Sequence, residues 1–89
     1  MIALEGDLDL SRESELLALL PDPNAADRVV FDFRDVKSID SSVITAIMRY
    51  RRDAAAAGRT HVEIVILASP GIRRVLDLVG VSRVLTVIS

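Results

Sequence analysis

The sequence predicts an α/β fold: one domain, residues 1–89, with a mainly parallel sheet of about four strands and helices packed against it. Runs rich in β-branched residues alternate along the chain with stretches of helical period, which is the order of a β-α-β-α-β-α-β protein. The connections between them are a few residues long, and such alternation favours a parallel sheet reached by right-handed crossovers. At 89 residues the chain makes a single compact unit. A domain of that size buries only about 60 to 65% of the surface its unfolded chain exposes, so a functional site is expected on the surface.

Ile2 to Glu5 forms a short apolar run that stops at Gly6, and "DLDLS" then offers turn chemistry. Leu16, Leu17 and Leu20 recur at helical spacing, with Ser11 as the expected N-cap and Glu13 favoured in the first turn by the helix dipole. Pro21 and Pro23 end this helix, and "RVVFDF" reads as the next strand. From Ser42 the period turns helical, with Ile44, Ile47, Met48, Arg51 and Ala55 sharing a stripe and Gly58 supplying the stop. "VEIVILA" barely alternates beyond Glu63, the pattern of a strand buried on both faces. Ser69 then caps a helix opened by Pro70, with Ile72, Val75, Leu76 and Val79 on one side and Gly80 at its end. "VLTVI" is the last strand.

Composition narrows the function. Half the residues are hydrophobic and about a quarter charged, as in a packed globular domain. A formal net charge of -2 gives no electrostatic reason to expect nucleic acid or an anionic membrane as partner. Cysteine is absent, which rules out a disulfide, a thiol nucleophile and a thiolate metal site and fits a reducing compartment. No basic-then-apolar leader opens the chain and no apolar run approaches the length of a membrane span, so the reading is a cytoplasmic protein without membrane insertion.

Enzyme motifs are missing as well. The four glycines stand alone at positions 6, 58, 71 and 80, which leaves no phosphate loop, and one histidine cannot build a two-histidine metal site. His61 opens a strand after a helix; as a surface residue it is the ordinary case, and no oxyanion-hole motif accompanies a pairing with Ser42. The arginines of "MRYRR" lie on a helix whose other face must be core, which reads as a solvated face rather than a nucleic-acid patch. The expectation is a binding module with no cofactor and no enzymatic activity.

One stretch asks for more: "KSIDSSVITAI", residues 37 to 47, sets Asp40, Ser41 and Ser42 between a strand and a helix. Asp40 or Ser41 suits the N-cap, since either accepts a hydrogen bond from the helix's first free N–H groups. The place also matters, because the loops after the carboxyl ends of parallel strands are where α/β proteins meet ligands and partners. A phosphate on a serine there would sit over the positive end of the helix.

"EGDLDLS" (5 to 11), "VVFDFRDVKSIDSS" (29 to 42), "AAAAG" (54 to 58) and "ASPGIRRVLDLVGVSRVL" (68 to 85) resemble, in order and spacing, the STAS domains of bacterial anti-sigma-factor antagonists. The resemblance covers nearly the whole chain; "GDLD" and a "DSS" that follows a strand and opens a helix carry it. It implies phosphorylation-controlled partner switching: the unphosphorylated form binds an anti-sigma factor with serine kinase activity and so releases a sigma factor, and a phosphatase resets the switch. The family's phosphoacceptor maps onto Ser42, and Asp9, Asp40, Ser41, Val43 and Thr45 join it as partner-binding positions. Val43 and Thr45 stand where the family usually has glycines, and a β-branched residue beside Ser42 is expected to narrow access to it. The family also carries a further strand before the "GDLD" turn, so a sheet of about four strands with an uncovered edge is expected, open to a homodimer. Two alternatives accompany this reading: a constitutive, unphosphorylated STAS subunit of a signalling or lipid-transport assembly, and a nucleotide- or lipid-binding module.

Overall fold

The computed structural model describes residues 1–22, 27–58 and 62–89. Four strands, β1 (Ile2–Leu8), β2 (Arg28–Ile39), β3 (Glu63–Ala68) and β4 (Thr86–Ile88), form one sheet in the order β1-β2-β3-β4, and every neighbouring pair is parallel. Helices α1 (Glu13–Leu19), α2 (Ser41–Ala56) and α3 (Pro70–Leu78) lie between them. The alternation and the strand count expected from the sequence hold.

Strands laid down in sequence order by crossovers of one hand put every helix on the same face of the sheet. The core accords with that. Leu4 and Leu8 of β1, Phe31 and Phe33 of β2 and Ile64 and Ile66 of β3 form one buried cluster with Leu16 of α1, Val43, Ile47 and Tyr50 of α2 and Ile72 and Leu76 of α3. Phe31 and Phe33 are wholly buried at its centre. Tyr50 is the one aromatic residue on a helix, and its hydroxyl donates to the Pro21 carbonyl at 2.8 Å, tying α2 to the segment after α1.

Several local expectations are corrected. β1 runs past Gly6 to Leu8, with its register against β2 shifting between Gly6 and Asp7. Ser11 does not cap α1: Asp9 caps a short 3-10 turn at Leu10–Arg12, Ser11 lies inside that turn, and α1 starts after Arg12 without a side-chain cap. The Asp9 carboxylate outcompetes the Ser11 hydroxyl because it accepts from both the N–H and the hydroxyl of Ser11. β2 extends through "RDVKSI" to Ile39, twice the expected length, because its second half pairs with β1 where the first half pairs with β3. The buried stripe of α2 is Val43, Ala46, Ile47, Tyr50 and Ala54; Arg51 and Ala55 face solvent, and Ile44 and Met48 border the core. A helix reads its inner face from all the apolar residues it must bury, and Tyr50 and Ala54 turn α2 away from the expected stripe.

The helix ends follow the sequence more closely. Ser69 accepts from the Ile72 N–H with Pro70 in the first turn, and Gly58 and Gly80 leave α2 and α3 at φ +87 and +82, values open to glycine without strain. On α3, Ile72 and Leu76 are buried while Val79 is 55% exposed. Of the final apolar run "VLTVI" only Thr86–Ile88 forms β4; a 3-10 turn at Val81–Arg83 precedes it and ends on Val84. Pro23 and His61 lie outside the described residues.

Candidate functional site

The carboxyl ends of β1 and β2 meet side by side, since Leu8 pairs with Ile39 in the parallel ladder. The Asp40 N–H, one residue beyond β2, then donates to the Leu8 carbonyl at 2.8 Å. This bond brings the turn after β1, which starts at Asp9, onto the same rim as the turn into α2. Two segments thirty residues apart in sequence become one surface through a backbone contact that uses no particular side chain.

Asp40 organises the rim. Its extended backbone (φ -86, ψ 151) lets its carbonyl accept from the N–H groups of Val43 at 3.1 Å and Ile44 at 3.4 Å, while its carboxylate accepts from the Ser42 N–H at 2.9 Å. Ser41 donates its hydroxyl to the same carboxylate oxygen at 3.4 Å. The Ser42 N–H bond, first among the causes, holds the Asp40 carboxyl below its ordinary range, so Asp40 is an anion at neutral pH. Asp9 repeats the motif on the neighbouring turn, accepting from the Ser11 N–H at 3.0 Å.

Of the residues expected at the site, Asp9, Asp40, Ser41 and Thr45 are exposed. Val43 is corrected: at 1% exposure it belongs to the core, where the helical period turns it inward, and it offers a partner no surface.

Ser42 itself is half-buried, and its hydroxyl oxygen is shielded from solvent without a hydrogen-bond partner. The oxygen lies close enough to Asp40 to favour the charged carboxylate, yet its geometry falls short of a hydrogen bond. The exposed hydroxyls of this helix start are those of Ser41 and Thr45.

Leu10, 64% exposed in the turn next to Asp9, is a rim residue that the sequence reading left out. Its signal was present, a large apolar side chain inside an otherwise polar turn, but only the turn's geometry keeps it out of the core. Arg12 also gains a role: its guanidinium donates to the carbonyls of Glu5 at 2.5 Å and Asp7 at 3.4 Å, along β1, while a two-point contact with Glu15 at 3.0 and 3.2 Å orients it. That contact holds the Glu15 carboxyl below its ordinary range.

Among the described residues, no three histidine, cysteine or acidic side chains come together in a way that would hold a metal ion. No helix there is long and apolar enough to cross a membrane. The rim brings two carboxylates, hydroxyls and one exposed leucine together on a backbone fixed by the sheet.

A search of curated proteins finds no match to the chain. The family model described as "Mlab, STAS domain" matches residues 1–87, from the start of the chain to within the last strand. The all-parallel sheet, the polar turn after β1 and the "DSS" start of α2 all fall within that match. The chain therefore belongs to the STAS domain family.

Proposed function

We propose that this STAS domain is an anti-sigma-factor antagonist: a non-enzymatic cytoplasmic module whose unphosphorylated form binds an anti-sigma factor with serine kinase activity and so releases a sigma factor. The observation that carries the reading is the Asp40 N–H to Leu8 carbonyl bond, which sets Asp9, Leu10, Asp40, Ser41 and Thr45 around the start of α2 on one accessible rim. Leu10 supplies an apolar anchor and the two carboxylates supply charge, the mixture a specific protein contact needs.

Ser42 is the proposed phosphoacceptor. Phosphorylation requires the shielded hydroxyl to turn out to solvent, a change of rotamer that breaks no hydrogen bond of its own. A phosphate there adds about -1.5 to -2 charges beside Asp40 and Asp9. A partner seated on the rim would then meet both repulsion and an added desolvation cost, and would leave without any refolding of the domain.

The buried hydroxyl equally favours a second reading, a constitutive subunit of a larger assembly in which the serine is structural. The two part in a pull-down from native cell extract with wild type, Ser42→Ala and Ser42→Asp, the bound proteins being identified by mass spectrometry. The antagonist reading expects a serine kinase retained by wild type and Ser42→Ala and lost with Ser42→Asp. One and the same partner list for all three sinks the switch and leaves the constitutive subunit.

A further inference from the structure

Helix α2 turns Val43, Ala46, Ile47, Tyr50 and Ala54 towards the sheet, and the same rotation fixes what it shows to solvent. At helical spacing on the opposite side stand Thr45, Arg49 and Arg52, all exposed, with the half-buried Met48 between them and the exposed Arg51. These five residues line a shallow groove of about 340 Å³. Its walls are basic, and Met48, which borders the core, is its floor.

The charge of this face is not used inside the domain. Among the described residues its three arginines make one ion pair, Arg52 to Asp53 at 4.0 Å, the outer limit of such a contact. By contrast Arg12 pairs with Glu15, Arg28 with Glu63 and Arg34 with Asp32 at 2.8 to 3.0 Å. Nor do the arginines of α2 serve its carbonyl end, since none lies in the last turn. The helix holds three arginines against one aspartate in a chain whose formal net charge is -2.

We propose that the outer face of α2 docks an acidic segment of a partner protein, a short helix that sets glutamates or aspartates beside one apolar side chain. A guanidinium fork donates to a carboxylate at two points, and the flexible thioether of Met48 fits apolar side chains of different shape. The position of the patch favours a short segment over a long polyanion. Asp40 precedes Arg49 by nine residues, about 14 Å along the helix axis. That exceeds the reach of about 8 Å over which exposed charges act at physiological salt, so a short acidic segment on the arginines escapes the carboxylates of the rim. A nucleic-acid strand or an anionic bilayer spans both ends of the helix and meets Asp40 and Asp9 as well. The inference goes beyond the switch and does not rest on phosphorylation of Ser42.

Exposed ion pairs are individually weak, so one helix face with three arginines holds an isolated segment with a dissociation constant of about 0.1 to 1 mM. Within a larger interface the same charges steer the partner and fix its orientation.

The probe is an alanine-based helical peptide of about 18 residues that carries glutamates and one leucine on one face. It is titrated to about 2 mM into isotope-labelled protein and followed by amide NMR. The signals of Thr45, Met48, Arg49, Arg51 and Arg52 should shift together and saturate. A peptide with glutamine for glutamate should bind about tenfold more weakly or worse. Arg52→Ala should weaken binding about two- to fourfold, and Arg49→Glu with Arg52→Glu about tenfold or more, while circular dichroism stays native because both positions are exposed. No shift in α2 at the highest concentration overturns the proposal, as does equal binding of the glutamine peptide. Shifts centred elsewhere overturn it in favour of another face. A single-stranded oligonucleotide or phosphatidylglycerol vesicles that bind more tightly than the peptide overturn it in favour of a polyanion.

Discussion

The Asp40 N–H donates to the Leu8 carbonyl at 2.8 Å, and this bond makes one continuous rim out of two loops. The adjacent strands supply the proximity, and the Asp40 side chain then begins α2 from the junction.

Asp40→Ala should therefore cost about 1 kcal/mol of stability through the lost N-cap, within a range of about 0.5 to 2. Asp40→Asn keeps an acceptor for the Ser42 N–H and should lose only a few tenths. Urea denaturation of the two variants beside wild type measures the difference; equal losses would mean that charge, not the hydrogen bond, is what the cap contributes.

Ser42→Ala should leave stability unchanged or raise it by up to about 1 kcal/mol, because it deletes a shielded hydroxyl that has no partner. The same denaturation experiment reads it. A loss greater than about 1 kcal/mol would show that the hydroxyl bonds in solution and is not available for rotation.

Phe33→Ala should destabilise the domain by about 3 to 5 kcal/mol, since the ring is wholly buried and the sheet around it cannot collapse into the space. That is a large part of the about 5 to 15 kcal/mol available to a small domain. Far-ultraviolet circular dichroism during thermal unfolding should show a much lower midpoint or no folded baseline. Arg52→Ala, exposed on the far side of α2, should stay within about 0.5 kcal/mol of wild type.

Asp32 carries a pH dependence of defined sign. The Arg34 side chain and then the Arg34 N–H bond to it and lower its pKa from 3.8 to about 2. A carboxyl whose folded pKa is depressed contributes stability that is complete above the ordinary value and is lost as pH falls towards the folded one. Stability should thus decline between about pH 4 and pH 2, with Asp40, also lowered, acting in the same direction. Carboxyl-carbon NMR should place the Asp32 midpoint at about 2, well below the ordinary value of 3.8; a midpoint at the ordinary value would show that the Arg34 fork does not persist in solution.

The sequence by itself determined the α/β class, the four parallel strands and most helix ends. Those features rest on local chemistry: β-branched runs, helical period, Ser69 with Pro70, and glycines at 58 and 80. It also offered Asp40 or Ser41 as a cap, of which the structure uses Asp40, because a strand, a capping residue and a helix start are all readable within ten residues.

What only the tertiary structure decided is direction and neighbourhood. That Val43 points into the core and Thr45 out of it depends on a helix rotation set by Tyr50 and Ala54 packing on the sheet. That Asp9 joins Asp40, and that the Ser42 hydroxyl is shielded while Leu10 is open, follows from strand register and a backbone bond between distant residues. The side of β3 on which the helices pack belongs here too: its apolar pattern suits both sides of the strand to burial, and among the described residues the crossovers carried all three helices to one face.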